Sequence, residues 1–351
     1  LNNYYLSSGK STAEAHALAN QNLTADKNSG GLGYQVFSVP NGQSFIGMDG
    51  KVNPNATLGN KVFYDGQEYL LTPDDWEDEA FRSSLRQEYN ISASGATDRS
   101  SFYASFGYLK NEGITQNSDM ERYTARLKAD YQVKKWLKVG GNAGYANFTY
   151  NSLSEEGKSQ SSANLFAFTT SMAPIYPLYV RDGQGNIMTN EAGVTMYDYG
   201  DGMNGGLTRP LFPQGNALGD SRLNTDRSEG NAFNGTGFFD VAFLKDFKFT
   251  FNAGVSLDET RRTTVRNPYF GQFATDNGIV SKYHTRDFSV NLQQILNYTK
   301  TIDKHNINVM LGHESYKRKQ YLLYASKSNM FSQDNSELGG AVIDKASSTS
   351  Y

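Results

Sequence analysis

The stretch from residue 151 to residue 229 carries the side chains best suited to contact a ligand. Aromatic rings and carboxylates occur there at Tyr176, Tyr179, Tyr197, Asp198, Tyr199 and Asp201. Rings beside hydrogen-bonding groups suit sugar rings or extended peptides. The same residue types also build turns and aromatic girdles. The pattern therefore predicts these six residues as ligand-binding candidates and leaves a purely structural role open.

The chain offers little for catalysis or metal binding. It has 4 His and no Cys, and no Walker loop, Gly-x-Ser-x-Gly elbow or His-Glu-x-x-His motif occurs. Asp198 and Asp201 have the chemistry of glycosidase carboxylates, but a sequence cannot set their separation. The acidic run from Asp74 to Glu79 fits no calcium-loop spacing and predicts a helix start instead, where carboxylates meet the positive end of the dipole. We expect no enzyme activity, no metal and no cofactor.

The elements that must position these residues are organised around the stretch 82–150. From Tyr123 to Val133 every second residue is apolar or aromatic. A period of two places such residues on one face of a strand and the intervening ones on the other. A long strand with one apolar and one charged face suits a wall between lipid and water. We therefore predict a lumen-facing set, which consists of Arg122, Arg126, Lys128 and Asp130.

Eight strands with this alternation can be traced. They are predicted at 83–95, 101–109, 121–133, 136–150, 231–244, 247–258, 288–298 and 307–324. Tight turns follow the first, third, fifth and seventh strands, whereas longer loops follow the second, fourth and sixth. Outer-membrane barrels show this asymmetry, with short periplasmic turns and long extracellular loops. A soluble β-sandwich also alternates faces, but the strand lengths and the turn asymmetry disfavour it.

The expected fold class is all-β: an antiparallel transmembrane β-barrel segment with long extracellular loops. The predicted organisation is an extracellular loop region with short helices and strands at 1–81, four strands at 82–150, a long extracellular loop at 151–229, four strands at 230–325 and a polar loop or tail at 326–351. Short helices are predicted at 12–23 and 163–170. The end of the chain, from residue 339, does not have the pattern of a closing strand.

Composition limits the other classes of protein. The chain has 351 residues and a formal net charge of -3, which argues against a nucleic-acid surface. No run of about 18 apolar residues occurs, so a transmembrane helix is excluded. No basic segment followed by an apolar one stands at Leu1, so no signal peptide is visible. Either an export signal has been removed, or the sequence is an internal piece of a longer protein.

An ordered series of segments resembles a known family. The first group comprises residues 75–82, 89–95, 103–108, 111–114 and 122–127, and the second comprises 296–298, 304–308 and 311–314. Together they are similar to the barrel of SusC/RagA-type TonB-dependent transporters of Bacteroidetes. The resemblance covers roughly residues 70 to 325, and its specificity lies in the order of the segments rather than in any one of them.

The resemblance implies a larger assembly in the cell outer membrane. Such transporters are barrels of about 22 strands with an internal plug, of which this chain supplies about eight. A SusD-like surface lipoprotein acts as a lid, and TonB delivers energy through the plug. The plug should precede Leu1 and the final strands should follow Tyr351, so we interpret the sequence as a barrel segment embedded in outer-membrane lipid.

Two functional hypotheses follow. The first is active import of an oligosaccharide or oligopeptide handed over by the SusD-like partner, with glycan favoured because it is the commoner case in the family. The second is an autonomous eight-stranded barrel with a role in adhesion or envelope structure, in which the eighth strand pairs with the first. Such a barrel has an interior filled by side chains. The many Gly, Ser and Asn residues on the polar faces are too small to fill it, which favours the first hypothesis.

Overall fold

The computed structural model describes residues 1–25, 30–153, 164–344 and, by backbone alone, 349–350. The chain divides into two compact units. The loop unit comprises residues 1–82, 154–224 and 267–277, and the sheet unit comprises 83–153, 225–266 and 278–351. The segments predicted as separate loops at 1–81 and 151–229 thus contribute to one folded unit.

The sheet unit is built from eight long antiparallel strands in chain order. They are β5 (Arg86–Ala96), β6 (Ser100–Glu112), β7 (Asp119–Lys134), β8 (Leu137–Asn151), β9 (Thr225–Phe243), β10 (Phe247–Arg266), β11 (Ile279–Ile302) and β12 (His305–Met330). Each pairs with its neighbour in sequence, so every connection is a hairpin or a simple loop. All eight predicted strands are therefore confirmed as elements of one antiparallel sheet.

The register places the alternating residues on two distinct faces. In one row across the sheet, Ile91 pairs with Phe106, which pairs with Ala125. The row continues through Tyr145, Phe233, Leu257 and Phe288. The opposite face of β7 carries all four residues of the predicted lumen-facing set. One apolar and one polar face are thus continuous over several strands, because directly paired residues share a face.

The hairpin ends are staggered across the sheet. Tyr89 and Arg286 belong to one continuous row of paired residues, which runs from β5 to β11. In β11, Arg286 is separated from the hairpin end at Ile302 by a certain number of residues. In β5, less than half as many residues separate Tyr89 from the hairpin end at Ala96. With ordinary strand rise and spacing, this offset across the sheet corresponds to a strand tilt of about 45°, and membrane barrels have strand tilts of this size.

Three predicted boundaries were wrong. The long loop expected to run to residue 229 ends earlier, because β9 begins at Thr225. The loop expected between residues 259 and 286 is mostly strand, because β10 continues to Arg266 and β11 begins at Ile279. The tail expected from residue 326 contains the end of β12 and a further short strand, β13 (Ala341–Asp344), which pairs with β12. Val265, Val280, Met330 and Ala341 form a small buried cluster there. That cluster explains why pairing continues where the two-residue alternation is no longer visible.

The loop unit consists of short elements. They are α1 (Asn2–Ser7), α2 (Thr12–Thr24), β1 (Phe37–Ser38), β2 (Thr57–Leu58), β3 (Asn60–Tyr64), β4 (Gln67–Leu71), α3 (Trp76–Ala80), α4 (Leu165–Ser171), α5 (Ala217–Leu223) and a 3-10 turn (Gly271–Asp276). The predicted helix at 12–23 is confirmed as α2, which begins with a reciprocal capping box between Ser11 and Glu14. The helix predicted at 163–170 is confirmed as α4, except that Ala163 lies outside the described residues.

The acidic run forms a capped helix start. The Asp75 side chain accepts hydrogen bonds from the backbone N–H groups of Glu77 and Asp78, and three carboxylates lie in the first turn of α3. They stabilise the helix because its N-terminus carries a partial positive charge. The predicted role of this run is confirmed, except that Asp74 lies before the helix and has a different partner.

The loop unit has a true buried core. Phe168, Leu178 and Val180 are fully buried. Trp76 packs on Phe168 with ring centroids 5.4 Å apart, and its indole N–H donates to the carbonyl of Tyr176 at 2.8 Å.

In the described part of the chain, no helix is both long and apolar enough to cross a membrane.

Candidate functional site

The polar face of the sheet unit forms a shallow groove. Its volume is 460 Å³, and its lining includes Tyr103, Arg126, Lys128, Asn142 and Asn234. These side chains come from β6, β7, β8 and β9, which the register sets side by side. An exposed ring, two cations and amide groups can stack on and hydrogen-bond a polar solute. This groove is the candidate functional site of the sheet unit.

The predicted lumen-facing residues differ in their surroundings. Arg126 and Lys128 line the groove and are exposed. Asp130 is instead engaged within the chain: Lys138 lies 2.9 Å from its carboxylate, and Ser101 also donates to it. Arg122 lies opposite Leu109 on β6, further from the hairpin end. All four residues share the polar face, and their position towards a lumen stays a prediction.

In the loop unit, a buried ion pair ties two distant segments together. Arg181 Nη1 donates to Asp74 Oδ2 at 2.9 Å, and both side chains are largely buried. The same carboxylate accepts from the backbone N–H of Leu178 at 2.8 Å and of Tyr179 at 3.3 Å. Asp74 therefore has several donors, which compensates the cost of burying its charge.

A second cluster joins α3 to α5. Arg222 donates to the Glu79 carboxylate at 2.8 Å and to the Glu79 carbonyl at 2.9 Å, while the Tyr179 hydroxyl donates to the same carboxylate at 2.8 Å. Burial, followed by the bond to Glu79, raises the pKa of Tyr179 to about 12. Burial acts to lower the pKa of Arg222, but bonds to Glu79 and to the tyrosines outweigh it and raise that pKa. The cluster is therefore an ion pair with a neutral phenol.

Asp198 is the centre of a third network. Its carboxylate is buried and accepts from the Tyr34 hydroxyl at 2.9 Å, the Asn204 amide at 2.8 Å and the Gly200 N–H at 2.6 Å. Burial raises the pKa of Asp198, although the hydrogen bonds and the charge of Arg209 act in the opposite direction. The network holds the chain reversal around Gly200, whose φ of +66° favours glycine.

The six predicted ligand-binding residues are close together, but five of them are buried. Tyr176, Tyr179, Tyr197, Asp198 and Tyr199 are at most 8% exposed. The Tyr176 hydroxyl donates to the Leu32 carbonyl, the Tyr199 hydroxyl donates to Asp220, and the ring of Tyr197 packs on that of Tyr179. Asp201 is exposed. Ligand contact by these residues stays a prediction, whereas their observed contacts are those of a loop scaffold.

Arg209 is a buried cation that the sequence pattern did not reveal. It is fully buried, and its guanidinium lies 5.9 Å from the ring centroids of Phe168 and Tyr176. It donates to the carbonyl of Gly215 at 2.5 Å, while its Nε and Nη1 atoms have no hydrogen-bond partner among the described residues. No motif marks a lone Arg before Pro210, so only the fold identifies it.

The histidines stay apart in the structure. His284 bonds Glu259 at 2.9 Å, and His313 contacts Gln294 at 2.5 Å. Within the residues that the structure describes, no three His, Cys, Asp or Glu side chains are grouped as a metal site.

Comparison with known proteins supports the membrane interpretation. No family model matches the chain. The TonB-dependent receptor SusC of Bacteroides thetaiotaomicron is 26% identical over 251 residues, which is 68% of this chain and 24% of that receptor. The TonB-dependent receptor P3 of Formosa agariphila is 21% identical over 70% of this chain and 23% of its own length. The chain spans about a quarter of the length of these curated relatives.

Solved structures show the same fold. The structure of the RagAB peptide transporter matches with a TM-score of 0.59 and 23% identity, over 83% of this chain and 31% of the other. The RagAB peptide importer in its open-open state matches with a TM-score of 0.61, also at 23% identity, over 83% of this chain and 30% of the other.

The sheet has one apolar and one polar face, its hairpins are staggered, and it is similar to TonB-dependent receptors. The chain is therefore an antiparallel barrel segment of the bacterial outer membrane. More particularly, it is similar to TonB-dependent receptors of the SusC/RagA type. The names of the relatives describe receptors and an importer, and none of them describes an enzyme.

Proposed function

We propose that this chain forms part of the wall of a TonB-dependent transporter that imports oligosaccharides or oligopeptides across the outer membrane. The observation that carries the proposal is the polar face of the sheet, with its groove of 460 Å³ beside exposed Arg126 and Lys128. The opposite face is apolar over the same strands, as a barrel wall between lipid and an aqueous interior requires.

The loop unit supports the surface role of a solute receptor. Long loops on the side away from tight turns lie outside the cell in outer-membrane barrels. The Asp74–Arg181 pair and the Asp198 network give this unit a fixed shape with a buried core. We propose that this unit faces the SusD-like lipoprotein and the incoming solute, with exposed Asp201 as the one predicted ligand residue that needs no rearrangement to make contact.

The eight-stranded alternative is disfavoured by the strand pairing. Over the described residues, β5 pairs with β6 alone, and β12 pairs with β11, β13 and β14 (Thr349–Ser350). The first and eighth long strands thus do not pair with each other. A sheet that is open between β5 and β12 favours a wall continued by further strands.

Uptake by the complete receptor in its host tests the proposal. We expect a labelled oligosaccharide or oligopeptide to enter only when TonB is present, and the SusD-like lipoprotein to co-purify with the receptor. Replacement of Arg126 and Lys128 by Glu should change uptake of charged solutes more than that of neutral ones, because it inverts the groove charge. The matched control is Lys134→Glu with Lys135→Glu at a tight turn. TonB-independent uptake, or unchanged selectivity after the groove is inverted, would contradict the proposal.

Parallel assays with neutral oligosaccharides and with oligopeptides would decide between the substrate classes. A peptide carries a terminal carboxylate that two cations can bind. A neutral glycan depends instead on rings such as Tyr103 and on amide groups. Loss of uptake on Tyr103→Ala with little effect of charge inversion indicates a glycan, and the reverse indicates a peptide.

A further inference from the structure

Three cations lie together on the apolar face of the sheet, which is opposite the polar face proposed to line the solute channel. Lys317 and Lys319 of β12 pair with Val290 and Phe288 of β11, and Arg286 pairs with Tyr321. All of them share the apolar face, since Val290 and Phe288 continue the apolar rows of Val255 and Leu257. We call Arg286, Lys317 and Lys319 the outer cation cluster.

The cluster lacks carboxylate partners. Among the residues that the structure describes, none of its three cations lies within ion-pair distance of an Asp or Glu. Glu259 lies opposite Arg286 in the register, but its Oε1 atom is occupied by His284 at 2.9 Å and by Arg261 at 3.3 Å. By contrast, Arg318 on the polar face pairs with Asp287. Within the described chain, none of the three cations therefore forms an ion pair, although Glu259 stands opposite Arg286.

The height of the cluster along the strands matches a membrane surface. An apolar band about 25 Å tall is crossed by about 11 residues of a strand tilted by about 45°. Counted from the hairpin between β11 and β12, such a crossing ends near Tyr316 on β12 and near Asn291 on β11. Lys317, Lys319 and Arg286 all come after these points. The cluster therefore lies just beyond the apolar band on the side of the long loops, where headgroups of the outer leaflet are found.

A groove connects the cluster to the apolar surface. Its volume is 540 Å³, and it is lined by His284, Arg286, Phe288, Val290, Lys317, Lys319 and Tyr321. Three cations and a phenol line it together with Phe288 and Val290, which pair directly with Lys319 and Lys317. Long cationic side chains at a bilayer surface extend their charge towards anionic headgroups.

We propose that this groove binds the phosphate-bearing headgroup of an outer-leaflet lipid, with its acyl chains extending from Val290 towards the apolar band. The occupant is a lipid rather than a free phosphate because the groove continues the apolar face, which a soluble anion would leave uncovered. The proposal rests on the barrel orientation given under the proposed function, and it goes beyond solute import.

Native mass spectrometry of the complete receptor in detergent tests the proposal. The probes are dioleoyl phosphatidic acid, dioleoyl phosphatidylcholine and inorganic phosphate. We expect phosphatidic acid to bind at least about tenfold more tightly than phosphatidylcholine, since each cation near a headgroup contributes about 1 kcal/mol. The triple variant Arg286→Gln, Lys317→Gln, Lys319→Gln should lose that preference. The matched control Lys134→Gln, Lys135→Gln, Lys304→Gln, at the opposite membrane surface, should keep it.

Each outcome decides the proposal. Equal binding of the two lipids, or an unchanged preference in the triple variant, would overturn it, and so would full displacement of phosphatidic acid by inorganic phosphate. If the triple variant does not show heat-modifiable migration, the single variants Lys317→Gln and Lys319→Gln replace it, and each should weaken phosphatidic acid binding. Solute uptake is not part of this assay, so its failure leaves the import proposal standing. Failure of TonB-dependent uptake likewise leaves lipid binding to be judged on its own.

Discussion

The two units of this chain differ in where their apolar side chains lie. In the sheet unit, Ile91, Leu127 and Leu311 are between 57 and 71% exposed on one face. In the loop unit, Leu178, Val180 and Phe168 are fully buried beneath polar segments. The sheet unit relies on the surrounding bilayer to cover its apolar surface, whereas the loop unit buries its own.

The two units also differ in how far their ion pairs are exposed. Ion pairs of the sheet unit, such as Lys248–Asp240 and Lys138–Asp130, involve lysines that are 40% exposed or more. Asp74 and Arg181 in the loop unit are 11 and 13% exposed. Buried pairs are expensive to break because the remaining charge loses its partner, whereas exposed pairs contribute little. Substitutions should therefore act through different forces in the two units.

The largest effect is expected from Arg181→Ala in the loop unit. It leaves the buried Asp74 carboxylate without its cation, which should destabilise this unit by about 3–5 kcal/mol. Thermal unfolding followed by limited proteolysis of the loop unit would measure the loss. The control is Lys61→Ala, since Lys61 pairs with Glu68 at 2.8 Å but is 54% exposed and should cost about 0–1 kcal/mol. Equal effects of the two variants would show that burial does not set the cost of breaking the Asp74–Arg181 pair.

The next largest loss of stability is expected when a charge is placed on the apolar face of the sheet unit. Val255→Arg in the middle of β10 should destabilise the membrane-embedded barrel by about 2–4 kcal/mol, because the charge would lie in hydrocarbon. Asn252→Arg, on the polar face of the same strand, should be tolerated. Urea unfolding of the complete receptor in lipid vesicles gives both values. A costly Asn252→Arg beside a tolerated Val255→Arg would reverse the assigned faces.

A smaller effect is expected from Tyr34→Phe. The substitution removes the hydrogen bond to Asp198 at 2.9 Å, and loss of a bond to a charged group should cost about 1–3 kcal/mol. Tyr64→Phe is the control, since Tyr64 is 49% exposed. Hydrogen exchange of the backbone around Asp198 should accelerate in the first variant alone. Unchanged exchange there would show that Asp198 does not hold the reversal.

The smallest effect concerns alkaline pH. The fold raises the pKa of Tyr179 from 10 to about 12, so the folded loop unit favours the neutral phenol. Its contribution to stability should be constant below pH 10 and should fall as pH rises from 10 to 12. Unfolding of the loop unit measured across that range should show the fall, and Tyr179→Phe should reduce it. A stability that rises over this interval would contradict the assignment.

The sheet could be predicted because its pattern is local. The alternation of Tyr123, Ala125 and Leu127 with Arg122, Arg126 and Lys128 is visible in a few residues, and the structure places the two sets on opposite faces. The alternation of apolar and polar residues is not visible near Arg261 and Arg262, where consecutive polar residues follow Glu259. In the structure, β10 continues to Arg266 because it pairs with β9 and β11. Such pairing between distant segments cannot be deduced from a local pattern.

The loop unit could not be predicted in the same way because its contacts are distant in sequence. Arg181 and Asp74 are 107 positions apart, and Tyr34 and Asp198 are 164 apart. The sequence did indicate that tyrosines and aspartates gather in this region, and the structure brings them together. Whether such a side chain points to a ligand or into the core depends on long-range packing, so residue type alone could not distinguish the two roles.

Spin labelling of single cysteines along β7 tests the central claim most directly, and this chain itself contributes 0 Cys to the background. Labels would be placed in turn at Tyr123 through Asp130 of the complete receptor in lipid vesicles. We predict that odd positions are more accessible to oxygen, which concentrates in lipid, and that even positions are more accessible to a water-soluble nickel complex. The opposite phase, or accessibility without a period of two, would contradict a barrel wall with its polar face towards water.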